Sequence, residues 1–179
     1  MAEARGPVLL AIARESIQLT GETPSVGAWA AAWLREPGAS FVTLRLDQEL
    51  RGCIGTIDAH RPLGDDVAWN ARAAAYRDPR FPPVSTIERE RLQVEVSVLS
   101  RREPLATSSE SDALALLRPG IDGIALEYLG ASATFLPQVW ESLPEPGPFL
   151  EHLRRKAGLP GRFWHPDVRL SRYTVEKVL

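Results

Sequence analysis

The chain has 179 residues, a length that fits one domain, and 44% of them are hydrophobic, enough to bury a proper core. Its formal net charge of -2 gives no bulk attraction to phosphate polymers or anionic membranes. A single cysteine excludes an intrachain disulfide framework and fits a reducing cytoplasm.

Met1 to Gly6 lacks the basic-then-apolar layout of a signal peptide, and no apolar run approaches the roughly 20 residues that span a bilayer. The expected location is therefore cytoplasmic, without membrane contact. Val8, Leu9, Ile12, Ser16 and Leu19 share one helical face, predicting a first helix ended by Gly21. A second, short helix is expected over Ala28–Leu34, closed by Pro37-Gly38. A β-hairpin follows over residues 41–57, with Phe41–Leu46 as one arm and Asp47-Gln48-Glu49 as the turn. Leu63, Val67, Asn70 and Ala74 then fall at helical spacing behind Pro62. Asp78-Pro79 stops that helix near Arg77. Asp78 to Pro83 reads as a stiff, irregular segment around Phe81.

Leu92 to Val98 alternates apolar and polar residues as a half-buried strand does. A helix over Ser109–Leu117 precedes a second hairpin, Ile124–Tyr128 and Ala133–Leu136, turned at Gly130. Pro148–Ala157 reads as a helix capped by Gly158, and Tyr173–Val178 as one closing strand. Helices and hairpins without a βαβ repeat predict an α+β fold with mainly antiparallel pairing. The short basic runs Arg101-Arg102 and Arg154-Arg155-Lys156 read as solvated faces, and no nucleic-acid partner is expected. Tryptophans 29, 33, 69, 140 and 164 read as core.

The chemistry-bearing segment is Leu50-Arg51-Gly52-Cys53-Ile54-Gly55-Thr56, the second arm of the first hairpin. Strand alternation would put Arg51 and Cys53 on one face, where a guanidinium favours thiolate. Gly52 and Gly55 mark a bulge or a close approach by a ligand or another backbone. Cys53 has three readings: a nucleophile or redox thiol, a small ligand-contacting residue, or an inert core thiol. Arg51 has two: bidentate capture of a small anionic ligand, or an ion pair with Glu95 or Asp78.

Thr56, Asn70, Asp78, Arg80, Glu95 and Gln138 complete the candidate ligand-binding set. Each has a structural alternative. Asn70, on the apolar seam of its helix, would brace the glycine-bearing strand. Asp78 and Arg80 would shape a turn, and Glu95 would share a solvent face with Ser97. Gln138 would bridge groups left unpaired by Pro137. His60 falls beyond the strand end, so no Cys/His pair is evident. The three histidines and lone cysteine have no zinc spacing, and no calcium loop or phosphate-cradling loop is present. No cofactor can be named.

The same strand, followed by Asn70-Ala71-Arg72-Ala73-Ala74-Ala75, Asp78-Pro79-Arg80-Phe81-Pro82-Pro83 and Glu95-Val96-Ser97-Val98-Leu99, resembles the AMMECR domain family. Its bacterial members are called AmmeMemoRadiSam system protein A. The match runs on through Pro119 to Gly123, Phe135 to Trp140, Lys156 to Leu159 and Trp164, in family order over nearly the whole chain. The resemblance implies one AMMECR-like domain over 1–179, an α+β fold of two unequal lobes with a cleft between them. It also implies partnership with a Memo-like protein and a radical-SAM protein. It supplies no reaction. Two readings therefore stand: a thiol-dependent enzyme or modifying component, and a non-catalytic ligand-binding or adaptor domain. Family members often carry a second cysteine where this chain has Arg154, which argues against chemistry needing two thiols.

Overall fold

The computed structural model describes residues 5–18 and 30–179. Helix α1 (Arg5–Gln18) buries Leu9, Leu10, Ile12, Ala13 and Ile17 along one face, as the periodicity requires. The expected stop at Leu19 and Gly21, Trp29, and the start of the helix expected from Ala28 all lie outside the described residues. Within them, that second element is only a single 3₁₀ turn, Ala32–Leu34.

Strands β1 (Pro37–Leu46) and β2 (Glu49–Gly55) form the hairpin. Asp47 and Gln48 take φ of 51° and 69° between the paired residues Leu46 and Glu49. Two left-handed residues in a two-residue loop match the right-handed strand twist. A two-residue strand β3 (Arg61–Pro62) leads into helix α2 (Leu63–Tyr76), which buries Val67, Ala68, Ala71 and Ala74. The helix ends at Arg77, where Asp78-Pro79 predicts a stop. The short helix α3 (Thr86–Arg89) opens on a capping box, Ser85 with Glu88, and strand β4 (Gln93–Leu99) follows.

The chain then builds a second unit, residues 100–175. It contains β5 (Glu103–Leu105), α4 (Glu110–Leu116), β6 (Gly123–Tyr128), β7 (Ala131–Phe135), α5 (Pro146–Lys156) and β8 (Arg169–Tyr173). Its antiparallel sheet has the order β5-β8-β6-β7. Phe149, buried completely on α5, stacks on Trp140 with ring centroids 3.6 Å apart at the centre of this unit's core. Finally β9 (Val175–Val178) pairs with β4, giving the first sheet the order β2-β1-β4-β9, with β3 added beside β1. The first unit thus comprises residues 1–99 and 176–179.

Three further expectations need correction. The closing strand over 173–178 is two strands that break at Thr174 and join different sheets. Arg154 is buried and bonds Glu110 at 2.7 Å and the Phe163 carbonyl at 2.8 Å. An arginine in the middle of a basic run is here a core residue, because α5 packs that face inward. Trp69 is 39% exposed, its ring covered by the Arg61 guanidinium at 4.8 Å. Helix α3, one turn long, has no counterpart among the elements expected from the sequence.

Candidate functional site

In the first unit, core-facing residues of the sheet are Val42, Leu44, Val94 and Val96, packed with α1 and α2. Alternation sends Thr43, Cys53 and Glu95 to the opposite face, where Thr43 pairs directly with both of the others. These three residues therefore form a cross-strand row, half-buried, on β2, β1 and β4.

The register slips between Leu44 and Arg45, so that Leu44 pairs Gly52 and Arg45 pairs Leu50. Arg51 is the extra residue of a β-bulge. The slip interrupts the regular alternation of the strand at Arg51. Arg51 reaches Glu88 on α3 instead, with Nε–Oε1 at 2.8 Å and Nη2–Oε2 at 3.3 Å. Neither Asp78 nor Glu95 is its partner. The Arg51 guanidinium, helped by the Ser85 amide, holds the Glu88 carboxyl down at about 2, against an ordinary 4.5.

The two glycines of the segment have different causes. A methyl on Gly52 would run into the backbone carbonyl of Ala74, so this glycine lets α2 lie against β2. A methyl on Gly55 would strike the Phe41 ring, its cross-strand partner. Neither opening is left for a ligand.

β2 is an edge strand, and at Cys53 its outward backbone groups are already taken. The Cys53 amide donates to Asp78 Oδ2 at 2.8 Å, and its carbonyl accepts from Arg80 Nη2 at 3.1 Å. Asp78 and Arg80 also bind each other at 2.7 Å. Together they stand in for the strand that would otherwise pair there, which protects the edge. The hydrogen bond from Arg80 keeps the Asp78 carboxyl far below the usual range, against the opposing effect of burial. Asp78 in turn raises the Arg80 guanidinium, with a smaller contribution from Cys53. The guanidinium bonded to Cys53, through its backbone carbonyl, is thus Arg80. Arg51 and Arg80 both lie over the Phe81 ring, at 5.9 and 5.5 Å from its centroid.

The Cys53 thiol is half-buried and touches the Thr43 hydroxyl at 3.3 Å. None of the histidines is hydrogen-bonded to it: the Nδ1 atoms of His60 and His152 pair with the Asp58 and Pro148 carbonyls, and His165 lies beside Asp167. Among the described residues, no group of three or more His, Cys, Asp or Glu side chains is placed to hold a metal.

Asn70 is fully buried and donates to the Ser40 carbonyl at 2.9 Å, to Thr56 Oγ1 at 3.2 Å and to Asp66 Oδ2 at 3.0 Å. Asp66 also accepts from the Ser40 amide and hydroxyl, and pairs with Arg61 at 3.1 Å. This network joins α2 to β1 and to Thr56, just past the end of β2. Glu95 pairs with Lys177 of β9 at 2.9 Å.

Arg51, Gly52, Cys53, Asp78 and Arg80 are therefore brought together around one strand. Gly55 and Thr56 lie at its far end with Asn70, and Glu95 lies two strands away. Gln138 belongs to the second unit, exposed on a 3₁₀ helix over Pro137–Glu141. Thr43, Glu88 and Lys177 join the site from outside the candidate set, although the Ser85-Thr86-Ile87-Glu88 pattern is a readable capping signal.

Fold and site together define an α+β protein whose glycine-bearing edge strand is locked by an Asp/Arg loop. The AMMECR1 family model matches residues 10–178, and the chain belongs to that family. A protein of Methanothermobacter thermautotrophicus is 37% identical over 168 residues, covering 90% of this chain and 82% of its own length. One of Thermotoga maritima is 39% identical over 145 residues, covering 80% of this chain and 78% of its own. The crystal structure of an uncharacterized protein from Pyrococcus horikoshii superposes with a TM-score of 0.77 at 32% identity. It covers 96% of this chain and 89% of that one. No helix among the described residues is long and apolar enough to cross a membrane.

Proposed function

We propose that this chain is a non-catalytic adaptor that docks on a partner protein through the rim of its signature strand. The carrying observation is Ile87. It is 78% exposed on α3, next to Glu88, while Leu50 is 37% exposed next to Arg51. The Arg51–Glu88 bridge ties the strand that carries Leu50 to the helix that carries Ile87, through an ion pair already neutralised inside the fold. An apolar side chain left in water beside a firmly braced loop suits a protein contact. The resemblance supplies the partner class, a Memo-like protein or a radical-SAM protein.

Thiol chemistry is the second reading, favoured by the half-exposed Cys53 between Thr43 and Arg80. It lacks a base within hydrogen-bond reach, which covalent catalysis ordinarily requires. One set of pull-downs with purified partners separates the two. Ile87→Glu should keep the fold and abolish the complex, and Cys53→Ser should keep both the complex and the in vivo activity. Equal binding by Ile87→Glu and the parent protein would end the docking reading. Loss of activity in a folded Cys53→Ser protein that still binds its partner would favour the thiol.

A further inference from the structure

In the first unit an open cavity of about 460 Å³ lies at the start of β4. That size falls in the range of small-molecule sites, roughly 300–1,000 Å³. Leu92 and Leu179 give it apolar wall, and Val94, which is 5% exposed, adds little. Four charged side chains line it: Arg14, Arg45, Lys177 and Glu95. Arg14 comes from α1, the helix that shares the apolar core with Val94, and Arg45 from β1, where it pairs with Gln93.

The charges do not balance. Glu95 and Lys177 neutralise each other at 2.9 Å. Arg45 makes only a 3.3 Å bond to the Gln48 carbonyl. Among the described residues neither Arg14 nor Arg45 has a carboxylate partner. Among the described residues these two guanidiniums are therefore in no ion pair, Arg14 exposed and Arg45 half-buried.

We infer that this cavity binds a small amphipathic anion: an organic molecule with a carboxylate, sulfonate or phosphate group on an apolar skeleton. A bare inorganic anion would leave the Leu92 and Leu179 surface in water. A neutral apolar molecule would crowd two guanidiniums without pairing them, which costs desolvation. Only a ligand carrying both features uses the whole lining, its anionic end taking charge-assisted hydrogen bonds from the arginines. The site shares no residue with the Leu50–Ile87 rim, so it stands or falls apart from the docking reading.

The test titrates the full chain with anilinonaphthalene sulfonate, followed by fluorescence, beside phenylnaphthylamine, which has the same skeleton without the charge. The sulfonate should saturate one site. Arg14→Gln combined with Arg45→Gln should weaken it by about tenfold or more, the loss expected for a charge-assisted hydrogen bond. Phenylnaphthylamine should bind more weakly than the sulfonate and be indifferent to the substitutions. Glu95→Gln should tighten the sulfonate several-fold by freeing Lys177 while leaving phenylnaphthylamine unchanged, whereas loosening of the fold would raise the binding of both probes. Equal sulfonate affinity in the double variant, no saturable site, or equally tight binding of the uncharged analogue would overturn the inference.

Discussion

Asp78 uses one carboxylate for three tasks: it accepts the Cys53 amide, accepts its own loop's Arg80 amide at 3.0 Å, and pairs with the Arg80 guanidinium. Glu88 does comparable work for Arg51 and the Ser85 amide. Both carboxyls ionise more readily folded than unfolded, where their ordinary values are 3.8 and 4.5. A depressed folded value means that the unfolded chain binds more protons in this range, so acid favours unfolding. The stability these groups supply is complete above the unfolded-state values and drains as pH falls toward about 2, the folded value of Glu88. Urea unfolding between about pH 6 and about pH 3 should therefore show a steep loss in the parent protein. Asp78→Asn should be less stable at neutral pH by about 1–3 kcal/mol, with a flatter acid limb. Glu88→Gln should flatten the limb as well. Acid limbs parallel to the parent's would show that neither carboxylate is tied into the fold as described.

At the scale of elements, the same two glycines that mark the signature strand predict different outcomes when a methyl is added. Gly52 meets the Ala74 carbonyl, which belongs to the backbone of α2 and can move only with the helix. Gly55 meets the ring of Phe41, a side chain that can turn aside. Gly52→Ala should therefore cost about 3 kcal/mol or more, and Gly55→Ala distinctly less, by thermal unfolding of the two variants. A smaller cost at Gly52 than at Gly55 would refute the close packing of α2 on β2.

Sequence alone indicates a bulge or a close approach at this strand, from its two glycines, and the structure has both, a bulge at Arg51 and the Ala74 carbonyl against Gly52. It does not name the approaching group, since Ala74 meets Gly52 only after α2 folds back. The hairpins were legible for a local reason: alternation and turn chemistry lie within a dozen residues. Helix α2 was legible through its apolar spacing and the Asp78-Pro79 stop. The Arg51–Glu88 pair was not, being 37 positions apart along the chain with Glu88 in a helix of four residues. The break at Thr174 was hidden because 173–178 keeps a strand-like composition through it. What splits the strand is tertiary: Thr174 exchanges hydrogen bonds with Ser100, its amide donating to Ser100 Oγ and its carbonyl accepting from the Ser100 amide, both at 2.9 Å.

At the scale of the molecule, that exchange closes the second unit where the chain enters and leaves it, at 100 and 175. A segment whose ends are fastened together and which carries its own apolar cluster has what an inserted folding unit needs. Phe149 is the residue on which that cluster turns: no part of it is exposed, it stacks on Trp140, and it meets Phe135 edge-on at 5.3 Å. Truncation there leaves a void that its ring neighbours cannot collapse into without losing their own contacts. Phe149→Ala should cost about 3–5 kcal/mol. Amide exchange should quicken across β6, β7 and β8, because α5 and the 3₁₀ helix that carries Trp140 cover that sheet through this ring. Unchanged protection at Ile124, Ala125 and Leu126, the buried centre of β6, would mean that the sheet does not depend on the aromatic stack for its cover.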